Sequence, residues 1–197
     1  GLVYYIATLI ATPLSFEKQL KTRNADVIVK LKDIRAAERA YKSKYQRFTD
    51  NFDSLIYFIL NDSLEMERKL VDEDDSVAMA QLKKSGKKNI EKYNLAVIDT
   101  IFNPRKLTKE QINDLRFIPH TDGKEQFILQ AGKVMTGSNI EVPVVECRAP
   151  YKLYLDTIEF RQNVINLIDD RVNNFNEYAG LKFGSMEGSN NEAGNWE

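Results

Sequence analysis

From Phe16 to Phe48 the chain contains neither glycine nor proline, and its apolar residues recur at a helical interval. Val27, Leu31, Ile34, Ala37, Tyr41, Tyr45 and Phe48 follow one another at spacings of 4, 3, 3, 4, 4 and 3, which lines one face of an α-helix. The opposite face carries Lys32, Arg35, Arg39, Lys42 and Arg47. A helix from the first residues to Tyr45 would be about 65 Å long at about 1.5 Å per residue. A domain built from the rest of the chain can cover only part of that length. The stripe Val27, Leu31, Ile34, Tyr41 and Tyr45 is expected to pack on the domain. The basic face Lys32, Arg35 and Arg39 is expected to meet acidic heads of neighbouring copies or an acidic partner.

Residues 1–16, GLVYYIATLIATPLSF, carry no charge. A membrane span needs about 20 apolar residues, so this segment reads as a truncated membrane anchor. Tyr4, Tyr5 and the Glu17–Lys18 boundary follow the pattern of a span, with Pro13 near its exit. A buried helix of the head, or the core of a signal peptide, is the alternative. Residues 17–47 hold ten Lys or Arg against four Asp or Glu, so a +6 stem stands beside a remainder of −7 in a chain of net charge −1. The division is an anchor at 1–16, a basic stem at 17–48, an α+β head at 49–186 and a polar tail at 187–197.

Thr49-Asp50-Asn51 ends the stem and offers a cap for a helix Phe52–Leu60, residues 61–76 read as an acidic loop, and a helix Val77–Lys84 would stop at Gly86. Tyr93–Phe102 reads as a strand, and Thr108-x-x-Gln111 as a capping box. Arg116–His120 and Glu125–Val134 read as strands around the Asp122-Gly123 turn, then Ile140–Arg148, with Pro143 pointing to an edge. Tyr151–Leu155 adds a candidate strand. Asp156-x-x-Glu159 would cap a helix whose stripe is Val164, Ile165, Ile168, Val172 and Phe175, closed by Gly180. Leu181–Met186 is the last strand, and the tail reads as loose, with Trp196 available to dock it. The fold class is α+β: a long N-terminal helix on an antiparallel sheet with short flanking helices.

Catalytic patterns are missing from the sequence. It holds no phosphate-binding loop, no dinucleotide fingerprint and no zinc-protease motif. His120, the single histidine, falls in a turn, and Cys147, the single cysteine, reads as a core thiol. We therefore expect no enzyme, no catalytic or metal-binding residues and no cofactor. The acidic run 65–75 and the tail offer oxygen ligands for calcium, without the spacing of an EF-hand. The basic stem suits an anionic lipid surface better than nucleic acid, because it follows an apolar segment; a solvated helix face is the plainer reading.

The stem and its exit resemble type IV pilins and type II secretion pseudopilins. There, an apolar helix containing a proline leads into a polar helix ending in a segment like IRxAxxxYxxxxGxYP, followed by a short helix. The matching residues are Pro13, then Val27 through Ala37 (VIVKLKDIRAA), Tyr41, Tyr45-Gln46-Arg47-Phe48 and the helix from Phe52 to Leu60. The chain is also similar to membrane-anchored exported proteins of Gram-negative bacteria that share this stem and an AGNWE-like ending. The resemblance implies a pilin-like structural subunit of an envelope filament or secretion assembly, whose partners are the membrane and copies of itself or envelope-machine proteins. A monomeric anchored periplasmic scaffold of a secretion or motility machine is the alternative. It implies an inner-membrane anchor with a periplasmic head, or an extracellular filament. Lys18, Lys21, Arg23 and Lys30, just after the apolar segment, pull the other way under the positive-inside rule.

Five tripeptides read Asp, then Ser or Thr, then an aliphatic residue, an excess over random placement; their hydroxyl residues are Ser54, Ser63, Ser76, Thr100 and Thr157. The pattern resembles the acceptor motif of a periplasmic O-glycosylation system of some Gram-negative bacteria. Asp beside Ser or Thr is equally a natural helix cap or turn former.

Overall fold

The structure, a computed structural model, describes the backbone of residues 2–197 and the side chains of residues 2–3 and 13–197. Helix α1 spans Leu2–Tyr45, 44 residues with Pro13 inside it. Its end is set by Gln46, which takes a left-handed conformation (φ 61°) while its N–H donates to the Lys42 carbonyl at 2.8 Å. The chain then turns into α2, Phe52–Asn61, whose N-cap Asn51 accepts from the Ser54 N–H at 3.1 Å.

Residues 61–76 hold more than a loop. Strand β1, Ser63–Arg68, pairs antiparallel with β2, Glu91–Ala96. Of the acidic residues that suggested a loop, Glu65 and Glu67 are exposed on β1 beside Lys92 of β2, with Glu65 paired to Lys92 at 3.2 Å, and Arg68 pairs across the strands with Glu91 at 2.8 Å. Between the strands lies α3, Ser76–Ser85, capped by Asp75 and stopped by Gly86 at φ +73°. The strand expected to continue to Phe102 ends at Ala96, and the turn α4, Val97–Thr100, follows. There Val97 is fully buried and its N–H donates to the Asp62 carbonyl, which bends the chain back over α2.

Helix α5, Lys109–Asn113, opens with both bonds of the Thr108–Gln111 capping box. The strand expected at Arg116–His120 reduces to one bridge, Phe117 to Gln126, because His120 and Asp122 take positive φ (66° and 54°) and turn the backbone. The main sheet has the order β3-β4-β5, all antiparallel, from β3 (Ile128–Met135), β4 (Glu141–Pro150) and β5 (Gly180–Gly184). Pro143 lies on the central strand, yet β5 pairs with β4 only from Glu146 onward, so β4 is an edge on that side at the proline.

Tyr151–Leu155, expected as a strand, contains the helical turn α6, Tyr151–Tyr154. The two tyrosines are three apart and both buried, which is a helical spacing. Helix α7 covers Arg161–Asp169 and passes into a π-helical turn, Asp170–Asn174. Val164 is buried, and Ile165, next to it on α7, points away and is exposed; the π-helical turn then shifts the phase of the expected stripe, leaving Val172 and Phe175 exposed.

One hydrophobic cluster unites the molecule. Val27, Leu31, Ile34 and Ala37 of α1, all at 0% exposure, pack with Leu55 and Ile59 of α2 and with Val145, Cys147, Leu181 and Phe183 of the sheet. Burying an aliphatic side chain of this size contributes about 1.5–3 kcal/mol, so the stripe is the main tie between helix and sheet.

The expected transmembrane anchor is corrected by the structure. Among the described residues no helix is long and apolar enough to cross a membrane. The described part of α1 takes up charge at Glu17, Lys18 and Lys21, while Tyr4 and Tyr5 lie outside the residues whose side chains are described.

Candidate functional site

The residues singled out on α1 divide between two sides of one helix. Val27, Leu31 and Ile34 are inaccessible and Tyr41 is 8% exposed. Tyr45, one turn further on, is 43% exposed. Its ring closes the end of the core against Tyr41 (4.7 Å) and Phe58 (5.9 Å), and its hydroxyl donates to Asp62 Oδ2 at 2.5 Å. Asp62 also pairs with Lys44, and these two donors lower its carboxyl from the usual range.

The basic face is occupied by the chain's own tail. Arg35 donates to both carboxylate oxygens of Glu197 (2.7 and 3.3 Å) and to the Glu192 carbonyl (3.0 Å), and its guanidinium lies 5.5 Å from the centre of the Trp196 ring. Arg39 donates to Glu192 Oε1 (3.1 Å) and to the Asn191 carbonyl (2.8 Å). Lys32 is exposed. The tail is also sewn to β5: Phe183 bridges Gly194, the Gly184 N–H donates to the Ala193 carbonyl, and the Asn195 N–H donates to the Lys182 carbonyl. The Asn195 side chain accepts from the Lys182 N–H and donates to the Gly180 carbonyl. Gly184 is required here, because a Cβ would lie 1.9 Å from the Val145 carbonyl oxygen. The donors from Arg35 and then Gly194 hold the Glu197 carboxyl down at about 2.

The tail expected to be loose is therefore a clamp, and the cationic face expected to reach a neighbour is met within the chain at Arg35 and Arg39. The signal was present in the sequence as acidic Glu192 and Glu197 around Trp196, complementary to the +6 stem.

At the opposite end, α1 leaves the head through a collar of side chains. Phe16 meets Phe160 at 5.6 Å, Gln19 accepts from the Asp156 N–H, Arg23 donates to the Tyr154 carbonyl, and the Tyr154 hydroxyl donates to Asn24. Beyond the collar, Leu14 is 63% and Ile158 93% exposed, and Leu2 and Val3 are exposed too.

One residue that sequence reading passed over lies two turns before the C-terminal end of α1. Glu38 has no accessible surface. Its Oε1 accepts from the Thr49 N–H at 3.0 Å, and Oε2 has no partner among the described residues. Burial, with a smaller push from the charge of Asp50, raises the carboxyl to about 8 against the Thr49 bond.

The groups that bear most on catalysis are apart. His120 Nε2 lies 2.7 Å from Asp26 on the surface, whereas Cys147 is wholly buried, with its thiol pushed well up by desolvation. Among the described residues no three His, Cys, Asp or Glu side chains gather around a metal-sized point. Of the Asp-Ser/Thr residues, Ser54, Ser76 and Thr157 are exposed and Ser63 and Thr100 half-buried. Three of their aspartates have structural duties: Asp75 caps α3, Asp156 accepts from the Ile158 and Glu159 N–H groups, and Asp62 closes α2.

Comparison of the chain with protein-family models, with curated proteins and with solved structures finds no match. Residue geometry alone therefore carries the functional reading.

Proposed function

We propose that the chain is a non-enzymatic structural subunit of an exported cell-envelope assembly, pilin- or pseudopilin-like in build. The observation that carries this reading is the disproportion of α1. At about 1.5 Å per residue the helix far exceeds the sheet it lies on, and its first described side chains, Leu2, Val3, Pro13 and Leu14, are exposed. Exposed apolar surface on a rigid projecting helix favours packing against like helices.

A second reading, a monomeric scaffold or accessory protein of an envelope machine, is favoured by the clamp, which satisfies Arg35 and Arg39 without a neighbour. Electron microscopy and light scattering on the full chain separate the two. Filaments or defined oligomers that disappear in Leu14→Asp are expected for the subunit. A wild-type chain that stays monomeric at every concentration rules the subunit out in favour of the scaffold.

A further inference from the structure

Helix α3 is ten residues long and none of its residues is buried. Isolated helices of that length are marginal in water, and the support visible here is one-sided. Ala78, Met79 and Leu82 are half-buried, whereas Val77 (68% exposed), Ala80, Gln81 and Lys84 form the outer stripe at i, i+3, i+4 and i+7. The small Ala80 at the middle of this stripe permits close approach of another helix.

Charge is polarised along the same element. Asp72, Glu73, Asp74 and Asp75 form the turn before its first residue. Lys83, Lys84, Lys87 and Lys88 stand at and just after its end. Lys69 pairs with Glu73 and Asp75 caps the helix, but the four lysines have no ion-pair partner among the described residues. Each end suits the helix dipole, and each is also the complement of the other.

We propose that the outer face of α3 is a self-complementary docking surface for α3 of a second copy, the two helices lying antiparallel about a two-fold axis between Ala80 and Gln81. In that arrangement Val77 covers the aliphatic stem of the partner's Lys84, and each acidic turn faces the other copy's lysines, an isologous contact satisfied twice. A parallel arrangement would set acid against acid, so the charges specify the direction. The patch is small, so the contact is weak in isolation and gains strength where copies are already held close. It is independent of the projecting end of α1.

The test uses the full chain with Ala80→Cys, since Cys147 is buried and does not compete. Mild oxidation at low ionic strength is expected to link Ala80→Cys chains into covalent dimers, while Ser54→Cys, exposed on α2, stays monomeric. Adding the four changes Lys83→Glu, Lys84→Glu, Lys87→Glu and Lys88→Glu should lower the linkage to the Ser54→Cys level. So should Asp72→Lys, Glu73→Lys and Asp74→Lys together, and an equimolar mixture of the two charge variants should restore it. Equal linkage at positions 80 and 54, persistence in either charge variant alone, or failure of the mixture to recover would overturn the proposal. Leu14→Asp, which tests the stem, should leave the Ala80→Cys result unchanged.

Discussion

Glu38 lies four residues after Ile34 and three before Tyr41, so by spacing alone it belongs to the buried stripe. A carboxyl at such a position must give up its charge or find full compensation, and it has one hydrogen bond. The folded chain holds its proton up to about pH 8, whereas the unfolded chain releases it near the usual 4.5. The associated stability is complete below the lower value and is lost as the pH rises through the interval, at about 1.4 kcal/mol per pH unit. Glu38→Gln keeps the shape without the titration, so urea unfolding should show a flatter pH dependence than the wild type from about pH 5 to about pH 8. Parallel curves would refute the assignment. Cys147 gives a second readout. Its thiol should resist alkylation in the native chain and react at the rate of global unfolding; fast modification of folded protein would contradict its burial.

At the scale of elements, α1, the caps before Phe52 and at Thr108, and the stop at Gly86 were legible, because local chemistry fixes them, whereas α3 is capped by Asp75, one residue before the start that its sequence suggested. What escaped depends on partners distant in sequence. Strand β1 was hidden by glutamates whose use becomes visible only beside β2, and the π-helical turn moved Val172 and Phe175 off a stripe that local periodicity had placed inside. The tail is the clearest case: its polar composition suggests disorder until Arg35 and Arg39 are set beside it. Trp196 is the only tryptophan in the chain, so its fluorescence reports the clamp. Arg35→Ala should shift that emission to the red and lower thermal stability modestly, since the charge-assisted contacts with Glu197 and the Glu192 carbonyl are lost. Since Glu197 is depressed to about 2 from 4.5, docking is fully supported above 4.5 and lost as the pH falls toward 2. The emission should follow the same course; an unchanged spectrum in the variant and in acid would show that the clamp does not hold in solution.

For the whole molecule, the candidate site was only half legible. Val27, Leu31, Ile34 and Tyr41 were found because a helix writes its buried face into its spacing. Which cations would remain free to reach a partner could not be read, because neutralisation of Arg35 and Arg39 is a tertiary event. The clamp also imposes an order in time. Arg35 waits for a residue 162 positions further along, and the Phe183 and Trp196 rings that meet its helix are made comparably late. During synthesis the stem therefore passes a long interval with its apolar stripe covered only by α2 and still open on the side of the sheet. Closure of long loops slows folding, and a stripe open on that side is a ready target for a holding chaperone. A chain in that state is still unfolded enough to be threaded elsewhere before the tail arrives to lock it.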